Sequence, residues 1–177
     1  MQSAVLSALS IFGLWQVCGI AHGYPLLEVN QATLDCQEAV HQAGSELTLR
    51  HGVTINGVTI DRASHDSNPY PDSQQVSYSL VTRHGLNASD MEKQASWNAE
   101  SLMNSPKLQE RIAHNIILRC PEVSIVVFQI SNSSYSIPVF RMGSGYVRVG
   151  VPVNIECGNT SNANTPRLQW GYFYGGC

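Results

Sequence analysis

The chain carries little charge: 10 Lys and Arg against 13 Asp and Glu among 177 residues, a net of −3, with no block of either sign. Binding nucleic acid takes a basic patch that neutralises phosphates, so nucleic acid is not an expected partner. Spacings that metal and catalytic sites require are missing too. No two cysteines stand at the C-x₂₋₄-C separation that lets neighbouring thiolates share zinc, and no histidine pair forms His-x-x-x-His or His-Glu-x-x-His. The Asp-x-Asx-x-Asx-Gly rhythm of a calcium loop and the Gly-x-Ser-x-Gly elbow of a serine nucleophile are absent as well. No cofactor, metal or catalytic residue is therefore assigned. Beyond the N-terminal stretch, no apolar run approaches the ~20 residues of a membrane-spanning helix.

Charge is missing altogether from the first 27 residues, where an apolar run from Ala4 to Trp15 leads into Gly19, Ala21 and Gly23. That pattern reads as a secretory signal peptide over 1–23, cleaved after Ala21 or Gly23. An uncleaved anchor is the weaker reading, because 4–21 is short for a span and interrupted by Gln16 and two serines. The expected location is secreted or periplasmic, and the mature protein, 24–177, is not expected to be an integral membrane protein. Its 154 or so residues suit one domain with a single core.

Loss of the leader removes Cys18 and turns five cysteines into four: Cys36, Cys120, Cys157 and Cys177. An even set in an exported chain reads as a disulfide framework with three possible pairings. The strand pattern below places Cys120 and Cys157 at opposite ends of a meander, roughly 30 Å apart, which disfavours joining them. The expected pairs are Cys36–Cys120 and Cys157–Cys177, the second tying down the C-terminus.

Periodicity predicts a helix over 33–46, with Leu34, Cys36, Ala39, Val40 and Ala43 as its stripe and Gly44 near its stop. Asn56-Gly57 within 53–60 predicts a tight hairpin. A loop over 61–73, holding Pro69 and Pro71, is expected to be exposed and mobile, and 75–82 reads as a strand with Val76, Tyr78 and Leu80 on one face. Ser89-Asp90-Met91-Glu92 fits a capping box for a helix with Met91, Ala95, Ala99 and Leu102 inward. Ser105-Pro106 starts another, with Leu108, Ile112, Ile116 and Ile117 inward and an end near Arg119. A β-meander over 122–156 follows: 123–130, 135–142 with Pro138 marking an edge or bulge, and an alternating strand over 147–155. The expected fold is one α+β domain, an antiparallel meander packed with two to three helices and stapled by disulfides.

Trp97, Ser105-Pro106-Lys107-Leu108-Gln109, Ile112, Cys120-Pro121, Val127-Phe128, Phe140, Gly145, Cys157 and Trp170-Gly171 ahead of Cys177 resemble small exported cyanobacterial proteins of unknown function. The resemblance covers about 95–177 and implies an exported α+β domain. It assigns no functional residue.

Several groups carry chemistry in principle. His65-Asp66 has the makings of an acid/base pair, but solvation in a polar loop is the plainer account. Asp61, Asp66, Asn68 and Asp72 offer oxygen ligands without calcium spacing. His114 reads as a satisfied or solvated helix residue, and Gly143-Ser144-Gly145 as a turn. Trp170, Tyr172 and Tyr174 would line one face of a strand and could stack on sugar rings or a partner's apolar surface; the competing reading is a plug over the sheet. Asn87, Asn132 and Asn159 open N-glycosylation sequons. The functional expectation is an exported, non-catalytic binding or structural domain, contacting a glycan or protein surface. The alternative is a small secreted hydrolase assembled around 61–84, with His65, Asp66 and His84.

Overall fold

The computed structural model describes residues 28–29, 33–82, 87–153 and 167–174. Their elements run β1 (Glu28–Val29), α1 (Leu34–His51), β2 (Ile55–Arg62), β3 (Gln74–Leu80), α2 (Asp90–Met103), α3 (Pro106–Arg119), β4 (Val123–Ile130), β5 (Ser136–Arg141), β6 (Val147–Val149), β7 (Val151–Val153) and β8 (Tyr172–Tyr174). The signal peptide, His84, Asn159 and the Cys157–Cys177 pair lie outside the described residues.

Strands β1 to β6 form one sheet in sequence order. The expected meander is its second half, with β4, β5 and β6 antiparallel. The sheet continues past it. β3 lies parallel to β4, β2 antiparallel to β3, and β1 parallel to β2. A parallel step needs a long crossover, and α2 with α3 supplies it. β7 and β8 form a separate parallel pair.

The helices cover one face. Buried there are Val40, Leu47, Leu102, Ile112 and Ile116 from the helices, against Ile60, Val76, Tyr78, Leu80, Val126, Phe128 and Val139 from the sheet. Burial of such side chains contributes about 1.5–3 kcal/mol each, and this is the main core. Tyr78 stacks on Phe128 and donates from its hydroxyl to the Val40 carbonyl (2.8 Å). The Cys36–Cys120 disulfide forms as expected, with both residues fully buried and Cα atoms 4.8 Å apart. It ties the first turn of α1 to the end of α3.

Two one-residue irregularities adjust which side chains face the helices. Between Ile55 and Gly57 the β2–β3 register shifts. The extra residue, Asn56, lets both Ile55 and Val58 pack on the core, where regular alternation would put them on opposite faces. Asn56-Gly57 is therefore a bulge inside one strand, which corrects the expected hairpin. Closing a turn at 56–57 would leave very short ladders, whereas β2 pairs with β3 over its whole length. In β4 the shift opposite Gln74 and Gln75 makes Ser124 the extra residue, so Val123 and Val126 both face inward.

Other expectations shift for local reasons. α1 runs through Gly44 to His51 and stops at Gly52, whose φ of 62° suits glycine. Leu34 and Met91, assigned to apolar stripes, are 83% and 84% exposed, because the buried stripes begin at Cys36 and Ser96. The Ser89 capping box is present, while Ser105 makes no side-chain cap bond although Pro106 opens α3. The strand expected over 147–155 breaks at Gly150, where a Cβ would stand 2.7 Å from Phe140 and 2.9 Å from Phe173. Pro138 lies where the β6 ladder has ended, so its missing N–H faces no ladder acceptor.

Candidate functional site

The opposite face of the sheet is built from three cross-strand rows. Asp61, Gln75, Ile125, Phe140 and Arg148 form the first; Thr59, Ser77, Val127 and Pro138 the second; Gly57, Ser79, Gln129 and Ser136 the third. Strand geometry spaces neighbours about 4.8 Å across a row. Among the described residues, only part of this face has an apolar cover. Ala63, Ile125, Val127 and Phe140 make a small second cluster, with Met142 and Trp170 packed on it. The third row stays polar and half-open, with Ser79 and Ser131 hydroxyls 2.8 Å apart.

The cover comes from two segments, 63–73 and 167–174. His65 sits edge-on to Phe140 (5.4 Å) and Trp170 (5.3 Å), and Trp170 meets Phe140 at 4.9 Å and Tyr70 at 6.0 Å. The Trp170 indole donates to the Arg141 carbonyl (2.7 Å), and the Arg141 guanidinium lies over Tyr70. Ser67 donates its hydroxyl to the Leu168 carbonyl (2.6 Å), which joins the two segments directly. Beneath them, Asn68 donates to Ser73, whose hydroxyl is 2.6 Å from that of the bulge residue Ser124.

These bonds correct the picture of an exposed, mobile loop over 61–73. Asp61 and Arg62 belong to β2, and Ala63 and Ser73 are buried and joined by a backbone hydrogen bond. Ser64, Asp66, Pro69, Pro71 and Asp72 are exposed as expected. Asparagine and serine side chains satisfy the backbone locally, so a segment without periodicity is still ordered.

The histidine chemistry is decided by the same bonds. The Ser67 N–H donates to His65 Nδ1 (3.2 Å), so Nδ1 accepts and Nε2 carries the proton, which it gives to the Tyr172 carbonyl (3.0 Å). Both ring nitrogens are engaged by backbone. His65 is thus a connector between loop and C-terminal segment, with neither nitrogen free to serve as a base. Asn68 is likewise committed, and Asp72 faces Arg62 at 3.6 Å. Among the described residues no three His, Cys, Asp or Glu side chains converge as a metal site.

Trp170 and Tyr172 are not neighbours on a flat strand face. Trp170 lies in a turn, and Gly171, at φ 92°, redirects the chain before β8. Trp170 acts as the plug, while Tyr172 is half-buried with the Arg148 guanidinium 5.9 Å from its ring centre. The Tyr174 side chain lies outside the described residues. Asn87 and Asn132 are exposed, Asn132 in the β4–β5 turn at φ 59°.

Arg148 is the residue that sequence reasoning missed. Its place on the polar side of the 147–155 alternation is visible in the sequence; its lack of a partner is not. Its Nε is buried without an acceptor, and among the described residues it makes no ion pair or hydrogen bond.

Fold and site together define a class: an α+β domain whose mixed sheet is packed by helices on one side and half-covered by an aromatic segment on the other. No protein-family model, curated protein sequence or solved structure matches this chain.

Proposed function

We propose that this is an exported, non-catalytic binding domain whose contact surface is the half-covered face of the sheet, and that its ligand is a glycan. The observation that carries the reading is the contrast on that face. An aromatic plug covers the first row, and the remaining rows present Thr59, Ser79, Gln129 and Ser136 beside it. Hydroxyl and amide side chains exchange hydrogen bonds readily with sugar hydroxyls, and a bordering aromatic ring offers a stacking surface. The buried Cys36–Cys120 disulfide supports an oxidising destination, as does the charge-free leader. In this reading the chain stands with the small exported cyanobacterial proteins it resembles.

The hydrolase alternative loses His65 as its base, because both ring nitrogens are bound by backbone, while His84 lies outside the described residues. The test is a glycan panel screened against the mature protein, alongside a Ser79→Leu/Gln129→Leu variant that makes the third row apolar. Binding to a glycan that the double variant abolishes, with its fold retained, is the expected result. No binding across the panel, or binding that the variant leaves intact, overturns the reading.

A further inference from the structure

Arg148 stands in register with Phe140 at the border between the aromatic cover and β8. Arginine has five N–H donors in the plane of its guanidinium and attracts rings through its flat face. Tyr172 approaches this group, but a ring satisfies no in-plane donor. The side chain is half-buried, and its Nε is fully shielded without an acceptor. The other half-buried arginine of the described residues, Arg141, donates to the Pro121 carbonyl. Arg62, Arg111 and Arg119 each face a carboxylate. A buried donor left unmet is costly enough that native structures rarely keep one without a reason.

The backbone beside Arg148 is shaped to admit it. A Cβ on Gly171 would stand 2.7 Å from Nη2, so glycine both permits the positive φ and leaves room for the guanidinium. We infer that Arg148 anchors an oxyanion, and that the ligand is an acidic glycan presenting a carboxylate. The planar fork of arginine matches a carboxylate in two parallel hydrogen bonds. A sugar chain attached to that carboxylate then extends past Pro138 toward Gln129 and Ser136 of the third row. This inference rests on the glycan-binding reading above and adds the charge of the ligand.

The experiment measures affinities of the mature protein for an oligogalacturonate, a neutral oligoglucoside of equal length and free glucuronate. Titrations follow the arginine Nε–H signals by NMR. The acidic oligomer is expected to bind about tenfold or more tighter than the neutral one, with the Arg148 Nε–H signal moving on binding. Arg148→Met should bring the acidic oligomer down to the neutral affinity, and Arg148→Lys should retain part of the difference. Equal affinities in the parent protein overturn the acidic-ligand inference while the glycan reading survives. A preference for acid that Arg148→Met leaves intact overturns the assignment to this residue. Glucuronate binding as tightly as the oligomer keeps the anion site but overturns the extended surface. Failure of all three probes overturns the inference together with the reading beneath it. The acid-versus-neutral comparison needs no variant, so a misfolded Arg148→Met cannot spare the proposal.

Discussion

The two faces of the sheet are built from the same strands and held in different ways. Phe128 and Phe140 illustrate it: both are almost fully buried, on adjacent strands, facing opposite sides. Phe128 sits among helices whose side chains form one continuous apolar core. Phe140 sits under a lid of two irregular segments, contacting His65 and Trp170 edge-on. The first face is secured by apolar area. The second depends on a few side-chain-to-backbone hydrogen bonds around a small aromatic cluster, and it is the face proposed as the contact surface. Regions with few buried apolar groups open at lower free energy than the core.

The most direct way to break this contrast is Phe128→Ala beside Phe140→Ala. Phe128→Ala should cost about 3–5 kcal/mol of global stability, read by urea titration. Phe140→Ala should cost less globally and lower amide-exchange protection first in 63–73 and 167–174. Uniform loss of protection in both variants would show a single cooperative core and end the distinction.

The disulfide sharpens the same comparison, since it belongs to the helical side alone. Cys36→Ala/Cys120→Ala removes a cross-link between residues 84 apart in sequence. About 2–5 kcal/mol should go with it, without loosening the Ser67–Leu168 and His65–Tyr172 connections across the sheet. An early loss of exchange protection at 167–174 in that variant would contradict the separation.

On the other side, Gly171→Ala places a side chain at φ 92° against Arg148. The cost should be about 1–3 kcal/mol, confined to the aromatic cover. Gly145→Ala is the control, because its φ of 81° carries comparable strain while no atom lies within 4 Å of the added Cβ. Equal effects of the two substitutions would mean the approach of Arg148 to Gly171 is incidental.

The same division decides what was legible in the sequence. On the helical side, local rules sufficed: the Ser89 box, Pro106 at a helix start and the Cys36–Cys120 pair are all as read. Even where the hairpin at Asn56-Gly57 gives way to a bulge, the apolar residues around it, Val53, Ile55, Val58 and Ile60, all pack on the core. Alternation tells which side chains are apolar, and the glycine that permits a turn equally permits a bulge. The second face was far less legible. Its order comes from Ser67 meeting Leu168 and His65 meeting Tyr172, contacts about a hundred residues apart in sequence. Neither segment has periodicity, so nothing local marks either as structured. Parallel pairing of β1 with β2 and of β3 with β4 was hidden for the same reason.

The smallest expected effect tests the helical face at a buried polar anchor. Tyr78 is fully buried, and burial pushes its phenol up from the ordinary value near 10. Tyr78→Phe removes the hydroxyl bond to Val40, which should cost about 1 kcal/mol at neutral pH. The pH dependence has a definite sign. The folded chain keeps the Tyr78 proton to higher pH than the unfolded chain does, so the unfolded state loses it first. Stability held through this group is therefore complete below about pH 10 and falls as pH rises beyond it. The phenylalanine variant has no such ionisation at this position. Between pH 8 and 11 its urea midpoint should fall less than that of the parent protein. Equal falls would mean that the Tyr78 hydroxyl reaches water in the folded state, and that the helical face is less tightly closed than its burial implies.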